Sequence, residues 1–80
     1  MPGAMIKELE SVVLTIDLPK DGLTAGDIGT VVLVHENGRG FTVEFMTLAG
    51  TTIAVATLLA NQVRPIAEDE IAHARPVVLA

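Results

Sequence analysis

Two histidines, ten carboxylates and a single serine are the side chains with chemistry to offer in these 80 residues. His35 and Glu36 are adjacent beside an Asn-Gly pair, and His73 stands far along the chain. A metal centre needs three or four convergent ligands, and here no cysteine and no short ligand spacing completes the set. A solvated turn is the better reading of His35-Glu36, and no metal or cofactor is expected. Asp17, Asp21 and Asp27 flank one loop. Clustered carboxylates run acid–base chemistry when their surroundings split their pKa values. Loop aspartates, however, are far more often turn formers that bond nearby backbone, and the glycine pattern of a calcium loop is missing. Ser11 has no nucleophile elbow and no Ser–His–acid order around it. Gly22, Gly26 and Gly29 are followed by no Lys-Ser/Thr pair, so they are not a phosphate loop. Turns or close packing explain them. No catalytic residue is expected, and the chain reads as a non-enzyme.

The elements that would position these residues are short strands. Val12-Val13-Leu14-Thr15-Ile16 is apolar and β-branched, and Asp17-Leu18-Pro19-Lys20-Asp21-Gly22 breaks it. A first strand is expected at 11–16, a long irregular loop at 17–26, and a second strand at 28–35. Asn37-Gly38 marks a hairpin. Phe41-Thr42-Val43-Glu44-Phe45 alternates, which places Phe41, Val43 and Phe45 in the core and Thr42 and Glu44 in water. After a turn at 48–50, a fourth strand at 51–58 carries Ile53 and Val55 on one face and Ala54 and Ala56 on the other. Residues 59–62 read as one helical turn and 63–66 as a last strand, with Pro65 implying an edge position. This is an all-β chain: a small five-stranded SH3-like barrel over 5–66, preceded by a leader at 1–4. An OB-type barrel is the alternative, but its helix between strands three and four has no room here.

Residues 67–80 differ in character. Glu68-Asp69-Glu70 opens what reads as a short helix that Pro76 ends, and Val77-Val78-Leu79-Ala80 then reads either as a frayed terminus or as a strand added to a barrel edge, its own or a neighbour's. The second strand raises a related question. Strict alternation puts Val31 and Leu33 on one face and Val32 and Val34 on the other, so an apolar set faces outward and needs a cover. Val32, Val34, Ala54, Ala56, Val77, Val78 and Leu79 are therefore the expected protein interface.

Composition narrows the partner. With a net charge of −5 and basic residues scattered singly as Lys7, Lys20, Arg39, Arg64 and Arg75, the chain has no basic stripe for nucleic acid. Trp and Tyr are absent, so platforms for stacking bases are scarce as well. No apolar run approaches the roughly 20 residues of a membrane helix, no signal peptide opens the chain, and a cytoplasmic protein is expected. Eighty residues make one domain, small enough that oligomerisation often helps stability.

Ile6-Lys7-Glu8-Leu9, Val12-Val13-Leu14, Asp17-Leu18-Pro19, Gly22-Leu23, Ala25-Gly26-Asp27-Ile28-Gly29-Thr30-Val31-Val32, Val43-Glu44-Phe45 and Val63-Arg64-Pro65 together resemble an uncharacterised bacterial family of small SH3-like barrels, a domain of unknown function. The resemblance covers about residues 5–66 and brings no catalytic residues with it. It implies a protein-binding or antitoxin-like role. The Gly-Asp-x-Gly-x-Val segment also looks like the loop-strand motif of KOW domains, which bind RNA or protein. The expectation is a non-catalytic interaction module, a homodimer or the small subunit of a complex. A KOW-like nucleic-acid module and an accessory barrel of a larger enzyme are the alternatives.

Overall fold

The computed structural model describes residues 5–78, arranged around one antiparallel sheet. Its strands are β1 (Ser11–Leu14), β2 (Ile28–His35), β3 (Gly40–Met46), β4 (Thr52–Leu59) and β5 (Val63–Pro65). They lie in the order β4-β3-β2-β1-β5. Among the described residues β4 and β5 pair with one neighbour each, so the sheet is open where a closed barrel was expected.

Local sequence explains most of the elements. β1 stops at Leu14, two residues earlier than expected, because Thr15 turns its N–H to Gln62 O (2.9 Å) and its hydroxyl to Asn61 O (3.0 Å). Pro19 opens a 3-10 turn, Pro19–Asp21, that Gly22 ends at φ +71°, and Leu18 and Leu23 bridge across it. That closure puts Leu23 in the core. The Asn-Gly hairpin forms where expected, but its loop is four residues long. His35 pairs with Gly40, and Glu36 and Asn37 both take left-handed backbone before Gly38. A 3-10 turn at Ala60–Gln62 leads into β5, held by Leu59 N–H donating to Gln62 Oε1 at 2.8 Å. β5 is an edge strand, as Pro65 requires.

The core comprises Val12, Leu14, Leu23, Val31, Phe41, Val43, Phe45, Leu58 and Val63. Phe41, Val43 and Phe45 point inward as their alternation dictates. Across the ladder Phe45 meets Ala54, Val43 meets Ala56, and Phe41 meets Leu58. The alanines of β4 thus lie opposite Phe45 and Val43, while Leu58 fills the core opposite Phe41.

Three sequence expectations need correction. The pairing of β2 with β3 slips between Val31 and Leu33, so Val32 is an extra residue in a β-bulge. The bulge resets the alternation: Val31 and Val34 both face the core and Leu33 faces out. Val34, Ala54 and Ala56 are packed against the core, where an outward position was expected. Finally, residues 66–78 form neither helix nor strand. No backbone hydrogen bond ties 71–78 to the sheet among the described residues, and the Arg75 side chain links the segment to Asp27. The leader at 1–4 and Leu79 lie outside the described residues.

Candidate binding surface

The loop aspartates do structural work. Asp17 Oδ1 accepts from Ala25 N–H (2.9 Å) and Asp27 Oδ2 from Thr24 N–H (2.9 Å), which pins the loop that delivers the chain into β2. Among the described residues no group of three or more His, Cys, Asp or Glu side chains is placed to hold a metal ion. Ser11 is exposed at the start of β1, opposite Thr30. His73 is exposed on the segment that follows β5, far from His35 in sequence.

His35 belongs to the outward face of β2, β3 and β4. Three cross-strand rows cover that face: Thr30–Glu44–Val55, Leu33–Thr42–Thr57 and His35–Gly40–Leu59. His35 Nε2 and Thr42 Oγ1 share a hydrogen bond of 2.6 Å, and Thr42 Oγ1 lies 3.4 Å from Thr57 Oγ1. Thr52 Oγ1 donates to Glu44 Oε2 at 2.6 Å. Around these polar links stand exposed aliphatic side chains: Leu33 at 50%, Val55 at 59% and Leu59 at 61% of their full accessibility. Val32, at the bulge, is half-buried.

β4 is the outermost strand of this face. Its sequence, Thr-Ile-Ala-Val-Ala-Thr-Leu-Leu, contains no charge and no proline over eight residues. Exposed edges are usually blunted by lysine, proline, short length or a bulge, since unpaired N–H and C=O groups template further pairing. β5 is blunted in this way, with three residues, Arg64 and Pro65. On the β4 side the only irregularity is the register shift opposite Phe45/Met46, at the strand's start.

A second feature lies at one end of the sheet. Arg75 reaches back to Asp27, with Nε 2.8 Å from Oδ1 and Nη2 2.6 Å from Oδ2, and Nη2 also donates to Gly22 O at 3.0 Å. This two-point pairing fixes orientation as well as charge. The Arg75 guanidinium holds the Asp27 carboxyl below its ordinary range, and Asp27 in turn raises the pKa of Arg75. A similar pair, Arg64–Glu70, folds the chain back after β5, with Glu70 also accepting from Ala67 N–H. Arg64 lowers the Glu70 pKa to about 2. Neither arginine belonged to the expected site. Spacing could not announce Arg75, whose partner lies 48 residues away.

The model of a domain of unknown function, DUF4926, matches residues 8–65. The chain belongs to that family. The DUF4926 match takes in all five strands and the loop with Asp17 and Asp27, and it ends at Pro65, so the Arg75 segment lies beyond it. No curated protein and no solved structure matches the chain significantly. Among the described residues no helix is long and apolar enough to cross a membrane.

Proposed function

We propose that this domain is a non-catalytic protein-binding module that pairs through the free edge of β4, with a second copy of the chain as its partner. The observation that carries the reading is the eight-residue, charge-free edge of β4 beside exposed Leu33, Val55 and Leu59. Antiparallel pairing of two such edges satisfies backbone groups on both chains. It sets aliphatic and threonine side chains against one another and brings no like charges together, which matters for a chain of net charge −5. The strand order, the long first loop and the 3-10 turn before β5 also support an SH3-like reading of the fold. Arg64 and Arg75 are committed to Glu70 and Asp27, which favours protein over nucleic acid as the ligand.

Light scattering on size-fractionated protein tests this directly. A dimer that dissociates on dilution is expected for the parent, and Val55→Lys is expected to be monomeric. Val55 is exposed, so its replacement should alter stability by no more than about 0.5 kcal/mol. A parent that stays monomeric at every concentration overturns the reading, as does a Val55→Lys dimer of undiminished strength.

A further inference from the structure

The segment that follows β5 lies across the end of the sheet and covers it poorly. Between residues 72–77 and the body of the domain runs a groove of about 560 Å³. Its body side is lined mainly by the large apolar side chains of Leu23, Ile28, Phe45, Met46, Leu48 and Ile53, with Asp27, Thr47 and Ala49 among them. Of the apolar set, Ile28, Met46 and Leu48 are exposed. On the other side the segment offers Ala72, His73, Ala74, Arg75, Pro76 and Val77, and its two alanines leave part of the groove unfilled. Of residues 71–78 only Val77 is half-buried, and no backbone hydrogen bond secures them among the described residues. The polar anchors are all on Arg75: both Asp27 oxygens and Gly22 O.

A strap fixed at one charged point over an underfilled apolar groove has the form of a ligand held in place by its own chain. We propose that this groove is a binding site for an extended, arginine-bearing segment of a partner protein, and that residues 72–78 occupy it until displaced. Asp27 and the Gly22 carbonyl are the receptor for the partner's guanidinium. Leu23, Ile28, Met46 and Leu48 receive the apolar side chains beside it. The fork of acceptors selects arginine over lysine, because only a planar guanidinium meets both carboxylate oxygens and a carbonyl together. The underfilled groove selects residues larger than alanine on the N-terminal side of that arginine. This site meets β4 only at the strand's start, by Ile53, and rests on different observations from the pairing edge, so either reading can fail alone.

The probe is a fluorescently labelled synthetic peptide of residues 71–80, titrated into the full chain and followed by anisotropy. The Arg75→Ala chain, whose strap is unanchored, should bind the peptide at least tenfold more tightly than the parent. A peptide carrying Arg75→Ala should lose at least tenfold against the same protein, and one carrying Arg75→Lys should fall between. Peptides with Ala72→Leu or Ala74→Leu should gain, at about fourfold for each methylene that becomes buried. These peptide series change only the ligand, so they can be read against the parent chain and do not depend on any variant folding. Amide and methyl NMR shifts should move at Leu23, Ile28, Met46 and Leu48. Equal binding to parent and Arg75→Ala chains, binding indifferent to the peptide's arginine, or shifts confined to β4 each overturn the proposal. A dimer held by exchanged straps, detected as a species that Arg75→Ala abolishes, overturns the partner reading as well.

Discussion

Gly29→Ala, at the start of β2, should destabilise this domain more than alanine at either glycine of the first loop, Gly22 or Gly26. A Cβ placed at Gly29 falls 2.5 Å from Val43 Cγ1 and 2.8 and 2.9 Å from the Phe45 ring. Real carbon–carbon contacts are optimal near 3.5–4.0 Å, so the new methyl overlaps three atoms by roughly 1 Å. Val43 is fully buried and Phe45 is 2% exposed, so neither can swing into solvent to make room. The backbone of Gly29 is itself fixed opposite Val12 of β1. Overpacking of this kind costs about 1–3 kcal/mol, and the lack of any escape puts Gly29→Ala at about 3. For a domain of this size that is a fall in Tm of roughly 12–24 °C. Gly26 provides the internal control. Its φ is +98° and nothing lies within 4 Å of a Cβ added there, so Gly26→Ala incurs backbone strain alone, about 1–2 kcal/mol. Thermal and urea unfolding of both variants measure the difference. In Gly29→Ala/Val43→Ala the nearest clash is removed, and the two changes should couple favourably by about 1 kcal/mol. A Gly29→Ala protein as stable as the parent, or two substitutions that add without coupling, refutes the close-approach argument.

Two further outcomes follow from the core and the ion pairs. Phe41→Ala removes a ring that is 3% exposed and should cost about 3–5 kcal/mol. Eighty residues at about 0.05–0.15 kcal/mol each give about 4–12 kcal/mol in all, so the variant loses about a quarter or more of its stability, and a fall in Tm of roughly 12–40 °C by circular dichroism is expected. Acid sensitivity should come from Asp27 and Glu70, whose carboxyls titrate lower in the folded chain than in the unfolded one. Their stabilisation is present above the ordinary carboxylate range and is lost as pH falls through the folded values. Glu70→Gln should therefore flatten the decline of Tm between about pH 4.5 and 2, because the variant already lacks at neutral pH the modest stabilisation that acid removes from the parent. A decline as steep as the parent's would exclude Glu70 from the acid response.

Much of the architecture is legible in short stretches of sequence because its causes are local. Alternation from Phe41 to Phe45 names the buried face of β3, and Pro19 and Gly22 shape the first loop. Asn37-Gly38 places the hairpin, and Pro65 sends β5 to an edge. In each case one residue's φ, its missing N–H or a two-residue period is enough. The outward apolar face is another matter. Val31-Val32-Leu33-Val34 reads as a simple alternation, and only the pairing with β3 shows that Val32 is an extra residue. That slip exchanges the faces of Leu33 and Val34, and with them the outward apolar set.

The same division runs through the Ala25–Val34 segment. Sequence alone determined that Gly26 and Asp27 form a turn and that a strand follows, since both depend on backbone torsion and neighbouring N–H groups. The tertiary structure decided everything that depends on distant partners: that Gly29 must lack a side chain because of Val43 and Phe45, that Asp27 is the receptor for Arg75, and that the sheet stays open with β4 at its edge. Side-chain period and turn chemistry act over a few residues. Register, clash and ion pairing across 48 residues exist only once the chain has folded back on itself.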